Sequence, residues 1–149
     1  MNLRRVDVKD STMEKWVFSV LQDSGFKPKQ VDDLIKLEGV GVGSGDSSVD
    51  LALNLVELEG LRVIEVTSFL KTQAMTFDRA VLVSARGNAA CLTAKFTPVE
   101  VLDRSGHLVQ ASMILFADYL NEKELRGMIY LFIKEVDEID NELVELADR

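Results

Sequence analysis

The sequence predicts a single α+β domain in which an antiparallel sheet is packed by helices, in the order α-β-β-β-α-β-β-α. Three observations carry that expectation. Apolar residues recur with a period of 3.5 from Leu125 to Leu146, the signature of a long amphipathic helix. Runs such as Val49-Asp50-Leu51-Ala52-Leu53-Asn54-Leu55 alternate with period two instead, as half-buried strands do. Capping residues and glycines stand at the spacings that start and stop helices. With 149 residues and 47% apolar content, the chain is one domain, 1–149, able to close one sizeable core.

The first helix opens on Ser11 and Glu14, a capping box in which hydroxyl and carboxylate satisfy each other's backbone N–H groups. Met13, Trp16, Val17, Val20 and Leu21 follow on one apolar face, Phe18 lies off it, and Gly25 supplies the stop. From Phe26 to Leu37 the pattern is ambiguous, with Pro28 placed to open a short helix ending near Ile35. A meander of strands comes next. Leu34–Val42 is its first strand, Gly39 to Gly45 a mobile turn, and Val49–Leu55 and Leu61–Leu70 a hairpin about Glu59-Gly60.

A second helix is expected from Thr76, with Phe77, Ala80, Val81, Ser84 and Asn88 on one side. Its small residues (Ala80, Ser84, Ala85, Gly87, Ala89) invite a close approach. Two strands, Cys91–Leu102 and His107–Ala117, flank an Asp103-Arg104-Ser105-Gly106 turn. Pro98 lacks a donor and marks a bulge or an edge open to pairing in the first of them. Asn121 and Glu124 repeat the capping arrangement before the last helix, whose seam runs Leu125, Ile129, Phe132, Val136, Ile139, Leu143 and Leu146.

Composition narrows the function. A net charge of −8 argues against nucleic acid, whose phosphates demand clustered Lys and Arg. Residues 118–149 carry ten acids against four bases, six of the eight net negative charges, whereas residues 1–10 read as a basic, flexible arm. No apolar run reaches the ~20 residues that cross a bilayer, and the N-terminus lacks the apolar stretch of a signal peptide. A lone cysteine fits the reducing cytosol, so a cytoplasmic protein without membrane insertion is expected.

No motif names a reaction. Gly39-Val40-Gly41-Val42-Gly43-Ser44-Gly45 fails GxGxxG at Ser44, and no helix follows to hold a phosphate. His107 and Cys91 each stand alone, which leaves a metal site without ligands. His107 reads as a surface residue and Cys91 as a small buried apolar group; a Cys–His nucleophilic pair across one hairpin lacks an orienting third group. Ser44 is not in GxSxG, Asp46 and Asp50 have no apolar pocket to split their pKa values, and the acids of the last helix lack EF-hand spacing. The expectation is a non-enzymatic protein with no cofactor. Glu138, Glu142 and Glu145 oppose the dipole of the last helix; they form either a solubilising face or a docking face for a basic partner segment.

The element order, together with Leu92-Thr93-Ala94-Lys95-Phe96, the Asp103–Gly106 turn, Val109 to Leu115 and the helix beginning Asn121-Glu122-Lys123-Glu124-Leu125, resembles the type III secretion chaperone-like fold. It is also similar to the YbjN-like proteins of that fold, most of all their cyanobacterial members. The resemblance spans Ser11 to Leu146 and implies a homodimeric module that holds a protein or peptide segment. By that resemblance the dimer interface falls on Val81, Ala85, Val99 and Val101. Partner contact falls on exposed apolar positions such as Phe18, Phe69 and Leu70, with Glu138, Glu142 and Glu145 as an acidic docking surface. The alternative is an assembly or regulatory factor that docks on a larger complex through its acidic C-terminal helix.

Overall fold

In a computed structural model of the chain, residues 5–7, 11–41 and 48–147 are described. Helix α1, Ser11–Asp23, stops where the sequence places its stop. Gly25 takes φ 88°, and the N–H groups of Gly25 and Phe26 close on the carbonyls of Gln22 and Leu21 at 3.0 and 3.1 Å, the paired bonds of a Schellman motif. The short helix expected near Pro28 does not form. Strand β2, Lys29–Val31, instead folds back on β3, Leu34–Val40. Val31, Leu34 and Ile35 have helical spacing, but the strand period takes both Ile35 and Leu37 into the core, and Asp32 accepts the left-handed conformation that the tight turn needs (φ 54°).

Strands β4, Val49–Leu58, and β5, Leu61–Phe69, form the predicted hairpin. Glu59 and Gly60 both take positive φ, 50° and 80°, the type I′ geometry whose twist matches the flanking strands. Helix α2, Phe77–Ala90, is capped by the Thr76 hydroxyl, which accepts from Arg79 N at 3.3 Å. Strands β6, Lys95–Glu100, and β7, His107–Phe116, pair without a register shift. A 3-10 turn, Ala117–Tyr119, leads to α3, Glu122–Ala147. There Asn121 and Glu124 make the expected reciprocal cap, at 3.2 and 2.8 Å. Within the segment read as an arm, Arg5–Asp7 form strand β1 on the end of β4. Most of the glycine-rich connection, with Ser44 and Asp46, lies outside the described residues.

The fold is therefore α+β: an antiparallel sheet in the order β2-β3-β4-β5-β7-β6, with β1 beside β4, packed by three helices. One face supplies Ile35, Leu37, Leu51, Leu53, Leu55, Ile64, Val66, Met113 and Phe96 to a single core. Met13, Val17, Val20 and Leu21 of α1 meet it, as do Leu125, Ile129, Phe132, Ile133, Val136, Ile139 and Leu143 of α3. Phe69 and Leu70 obey the strand period: Phe69 is 47% exposed on the far face, and Leu70 is 2% exposed in the core. Leu70 is thus a core residue and not a contact for a partner.

Helix α2 lies against β6, and its small residues serve that contact. Ala80, Val83, Ser84 and Gly87 are buried; a Cβ on Gly87 would stand 2.5 Å from Phe96 Cδ2. The close approach invited by these residues is made by Phe96 of the same chain. Asn88, one residue on, donates to Phe96 O at 3.1 Å and accepts from Phe96 N at 2.7 Å. Phe96, Pro98 and Glu100 direct their backbone groups to the open side of this edge strand. Asn88 occupies the first position, and Pro98 has no N–H at the second. The edge expected to be available for pairing is blunted.

Two acids of α3 face inward. Glu135, 6% exposed, accepts from the N–H groups of Leu92, Thr93 and Ala94 and from the Thr93 hydroxyl. Burial pushes its carboxyl up, but the Thr93 hydroxyl and the three N–H groups outweigh it and hold the group below the usual carboxylate range. This carboxylate fastens the turn between α2 and β6 to the middle of α3.

Two substitutions test this packing. Gly87→Ala should cost ~1–3 kcal/mol in denaturant unfolding through overpacking on Phe96, and Phe96→Leu should recover part of the loss. Glu135→Ala, which leaves the buried Ala94 N–H without an acceptor and opens those of Leu92 and Thr93 to water, should cost ~1–3 kcal/mol. Because the folded pKa is depressed, the contribution of Glu135 is present above the ordinary carboxyl value and lost as pH falls through the folded value. The gap between the unfolding midpoints of wild type and Glu135→Ala should therefore narrow as pH falls from 7.

Candidate functional site

After β5 the chain crosses the top of the core as Lys71–Thr76 before entering α2. Three contacts fix this crossing. Lys71 N donates to the Asp140 carboxylate of α3 at 2.9 Å. Met75 and His107 exchange backbone bonds, both 2.8 Å. The His107 ring leans on Phe77 with centroids 5.2 Å apart. Gly106, at φ 149°, is what lets the β6–β7 turn lie so close, since a Cβ there would meet Met75 O at 2.9 Å.

These elements leave a cavity of about 790 Å³. Its walls are the Lys71–Thr76 crossing, Arg79 at the start of α2, Arg104 to His107 of the turn, and Leu143 of α3. A groove of about 200 Å³ adjoins it, sharing Arg79 and Leu143 and lined further by Leu82 and Arg86 of α2 and by Ile139 and Glu142 of α3. The Thr72 hydroxyl at the cavity wall is buried without a hydrogen-bond partner among the described residues.

The electrostatics of this site run against the composition. Lys71 Nζ is engaged by Ser48 at 2.8 Å and Asp50 at 3.9 Å. The guanidinium groups of Arg79, Arg86 and Arg104 make no ion pair or hydrogen bond among the described residues. Two nearby acids are held. Asp103 accepts from Ser105 N at 2.9 Å, and Asp140 is committed to Lys71 N. Burial pushes the Asp140 carboxyl up to about 6, with Asp137 adding to the rise while the Lys71 N–H and ammonium oppose it.

The residues singled out in the sequence are scattered over the fold. Glu142 lines the groove and Glu138 is exposed on the same helix, while the side chain of Glu145 lies outside the described residues. Val81 and Ala85 are exposed on the outward side of α2. Val99 and Val101 are half-buried, Val99 on the sheet face opposite to α2, so the four do not share one surface. Phe18 leans on the core beside a separate shallow depression with Glu14, Gln22 and Gln30.

Cys91 and His107 are not brought together: Cys91 caps the end of the 14-residue α2, and His107 packs at its start, ~20 Å away at 1.5 Å per residue. Burial and the Glu135 carboxylate push the Cys91 thiol up to about 11. Among the described residues, no three His, Cys, Asp or Glu side chains cluster as metal ligands, and no helix is long and apolar enough to cross a membrane.

Sequence reading missed the arginines. Arg79 and Arg86 stand seven apart, on one flank of α2, with no acid three or four residues away to pair with either. That was a legible signal. Arg104 joins them only through the β6–β7 turn.

Asp140 gives this site a pH signature. Its folded pKa of about 6 exceeds the ordinary 3.8, so folding favours the protonated form; that contribution is full below the ordinary value and lost as pH rises through about 6. Asp140→Asn keeps an acceptor for Lys71 N and removes the charge. It should raise Tm by ~2–4 °C at pH 8, the effect of about 1 kcal/mol in a domain of this size. The gain should fade by pH 4.5 in differential scanning calorimetry. No protein-family model matches this chain, and no curated protein matches it in sequence.

Proposed function

We propose that this chain is a non-enzymatic protein- or peptide-binding module of the secretion chaperone-like, YbjN-like kind, acting in the cytoplasm as a homodimer. The observation that carries the reading is the apolar surface of α2 and the groove beside it. Phe77, Val81 and Leu82 are 56%, 43% and 66% exposed, on a helix whose opposite side is buried against β6. Exposed apolar side chains grouped along one helix mark interaction surfaces more often than singly scattered ones do.

The helix offers two flanks. Phe77, Val81 and Ala85, four residues apart, form an outward stripe for a second copy. Leu82, with Ile139 and Leu143 across the groove, forms a concave apolar track for a partner segment. Asn88 and Pro98 blunt the β6 edge, so the second copy packs through side chains and not by extending the sheet. The acidic-helix reading is weaker support for a docking role, because Glu135 and Asp140 turn inward and leave a smaller acidic face.

Both flanks are accessible to test. Light scattering should give the mass of two copies for the wild type and one for Val81→Asp. An array of randomised dodecapeptides should retain the wild-type chain at specific members, and Leu82→Asp should abolish retention. As Leu82 is exposed, that change should alter stability by no more than ~0.5 kcal/mol. A monomeric wild type that retains on no member of the array would overturn the proposal.

A further inference from the structure

We infer that the segment held between α2 and α3 is acidic as well as apolar: its Asp or Glu side chains enter the cavity between Arg79 and Arg104, and its apolar side chains lie along Leu82, Ile139 and Leu143. The inference rests on the binding-module reading and names the partner's chemistry. Its basis is an imbalance of pairing. The chain has 25 acids to 17 Lys and Arg, so an arginine finds a carboxylate on this surface more readily than a carboxylate finds an arginine. Arg62 and Arg126 do so, with Asp118 and Glu122. Arg79, Arg86 and Arg104 find none among the described residues, and they line two adjoining concavities that share Arg79 and Leu143.

Guanidinium groups present a planar fork that matches a carboxylate, and an apolar wall strengthens such a bond by lowering the local dielectric. Arg79 and Arg86 are seven residues apart on a helix, ~10 Å along its axis at 1.5 Å per residue. Carboxylates three residues apart on an extended segment at ~3.1–3.4 Å per residue span the same distance. Because the cavity and the groove adjoin at Arg79 and Leu143, a segment that spans both fits better than a free small anion. Glu142 opposes Arg86 across the groove and Asp78 precedes Arg79. Both oppose an acidic ligand, and Glu142 does so at the groove end. This places the strongest carboxylate site at the cavity, between Arg79 and Arg104.

The dodecapeptide array tests the chemistry directly. Retained sequences should be enriched in Asp and Glu among apolar residues. For the best of them, measured by fluorescence anisotropy, replacing its acids with Gln should weaken binding about tenfold or more. The double variant Arg79→Gln, Arg104→Asn should weaken the acidic peptide as much and leave the Gln version within about twofold. Asn is chosen because Arg104 sits at φ 59°, which Asn tolerates. Glu142→Gln should tighten the acidic peptide.

Retention of neutral or basic sequences, or arginine variants that bind like the wild type, would overturn this inference and leave the binding-module reading standing. An array with no retained member would overturn both. If inorganic phosphate displaced the acidic peptide at micromolar concentration, the cavity would be a phosphate site and the inference would fail.

Discussion

The carboxylate of Glu135 is the contact on which the rest of the molecule depends. It reaches from the middle of α3 to three consecutive backbone N–H groups at Leu92, Thr93 and Ala94, the turn that hands α2 over to β6. The Ala94 N–H is buried and would cost ~1–3 kcal/mol without a partner, so this acceptor holds the turn in place. Once it is fixed, Phe96 enters the sheet opposite Gly87, Asn88 reaches the backbone of Phe96, and α2 is set at one distance from α3. The groove between the two helices is the space that this arrangement leaves.

The surface of α2 follows from the same placement. Its small residues are spent on closeness to Phe96, so the side chains left outside are Val81, Leu82 and Ala85 together with Arg79 and Arg86. The β6 edge beside it is closed by an amide that satisfies Phe96 and by a proline that offers no donor. A protein that blunts its own sheet edge gives up recognition by strand addition and avoids the aggregation that accompanies it. Under the proposed binding role, recognition in this region falls to side chains, and α2 is where they stand clear of the core.

Net charge describes this chain poorly at short range. At −8 the whole molecule repels acidic partners, but that field fades over a Debye length of ~8 Å at physiological salt. Inside the groove the charges are the guanidinium groups of Arg79 and Arg86, without carboxylate partners among the described residues, and Glu142, while Asp140 is withdrawn to Lys71 N. The acidic helix is thus divided: Glu135 and Asp140 act as internal tethers to Leu92–Ala94 and Lys71, whereas Glu138 and Glu142 face outward.

By itself the sequence determined what neighbours along the chain can decide. The heptad seam of α3, the Asn121–Glu124 cap, the Thr76 start of α2, the Gly25 stop and the Glu59-Gly60 turn are all local, and each formed as its spacing requires. The α+β class follows from them. Strands β1 and β2 were missed because they are three residues each; β2 has no buried side chain and so no alternation to detect, and it exists only because β3 offers it a ladder. Leu70 was misplaced for want of a face, which pairing assigns and composition does not. The inward turn of Glu135 and Asp140, and the place of Arg79 and Arg104, 25 positions apart, on the wall of one cavity, were decided by tertiary structure alone. Their partners are backbone groups and cavity walls that come into being only when distant segments pack, and no spacing within a helix encodes them.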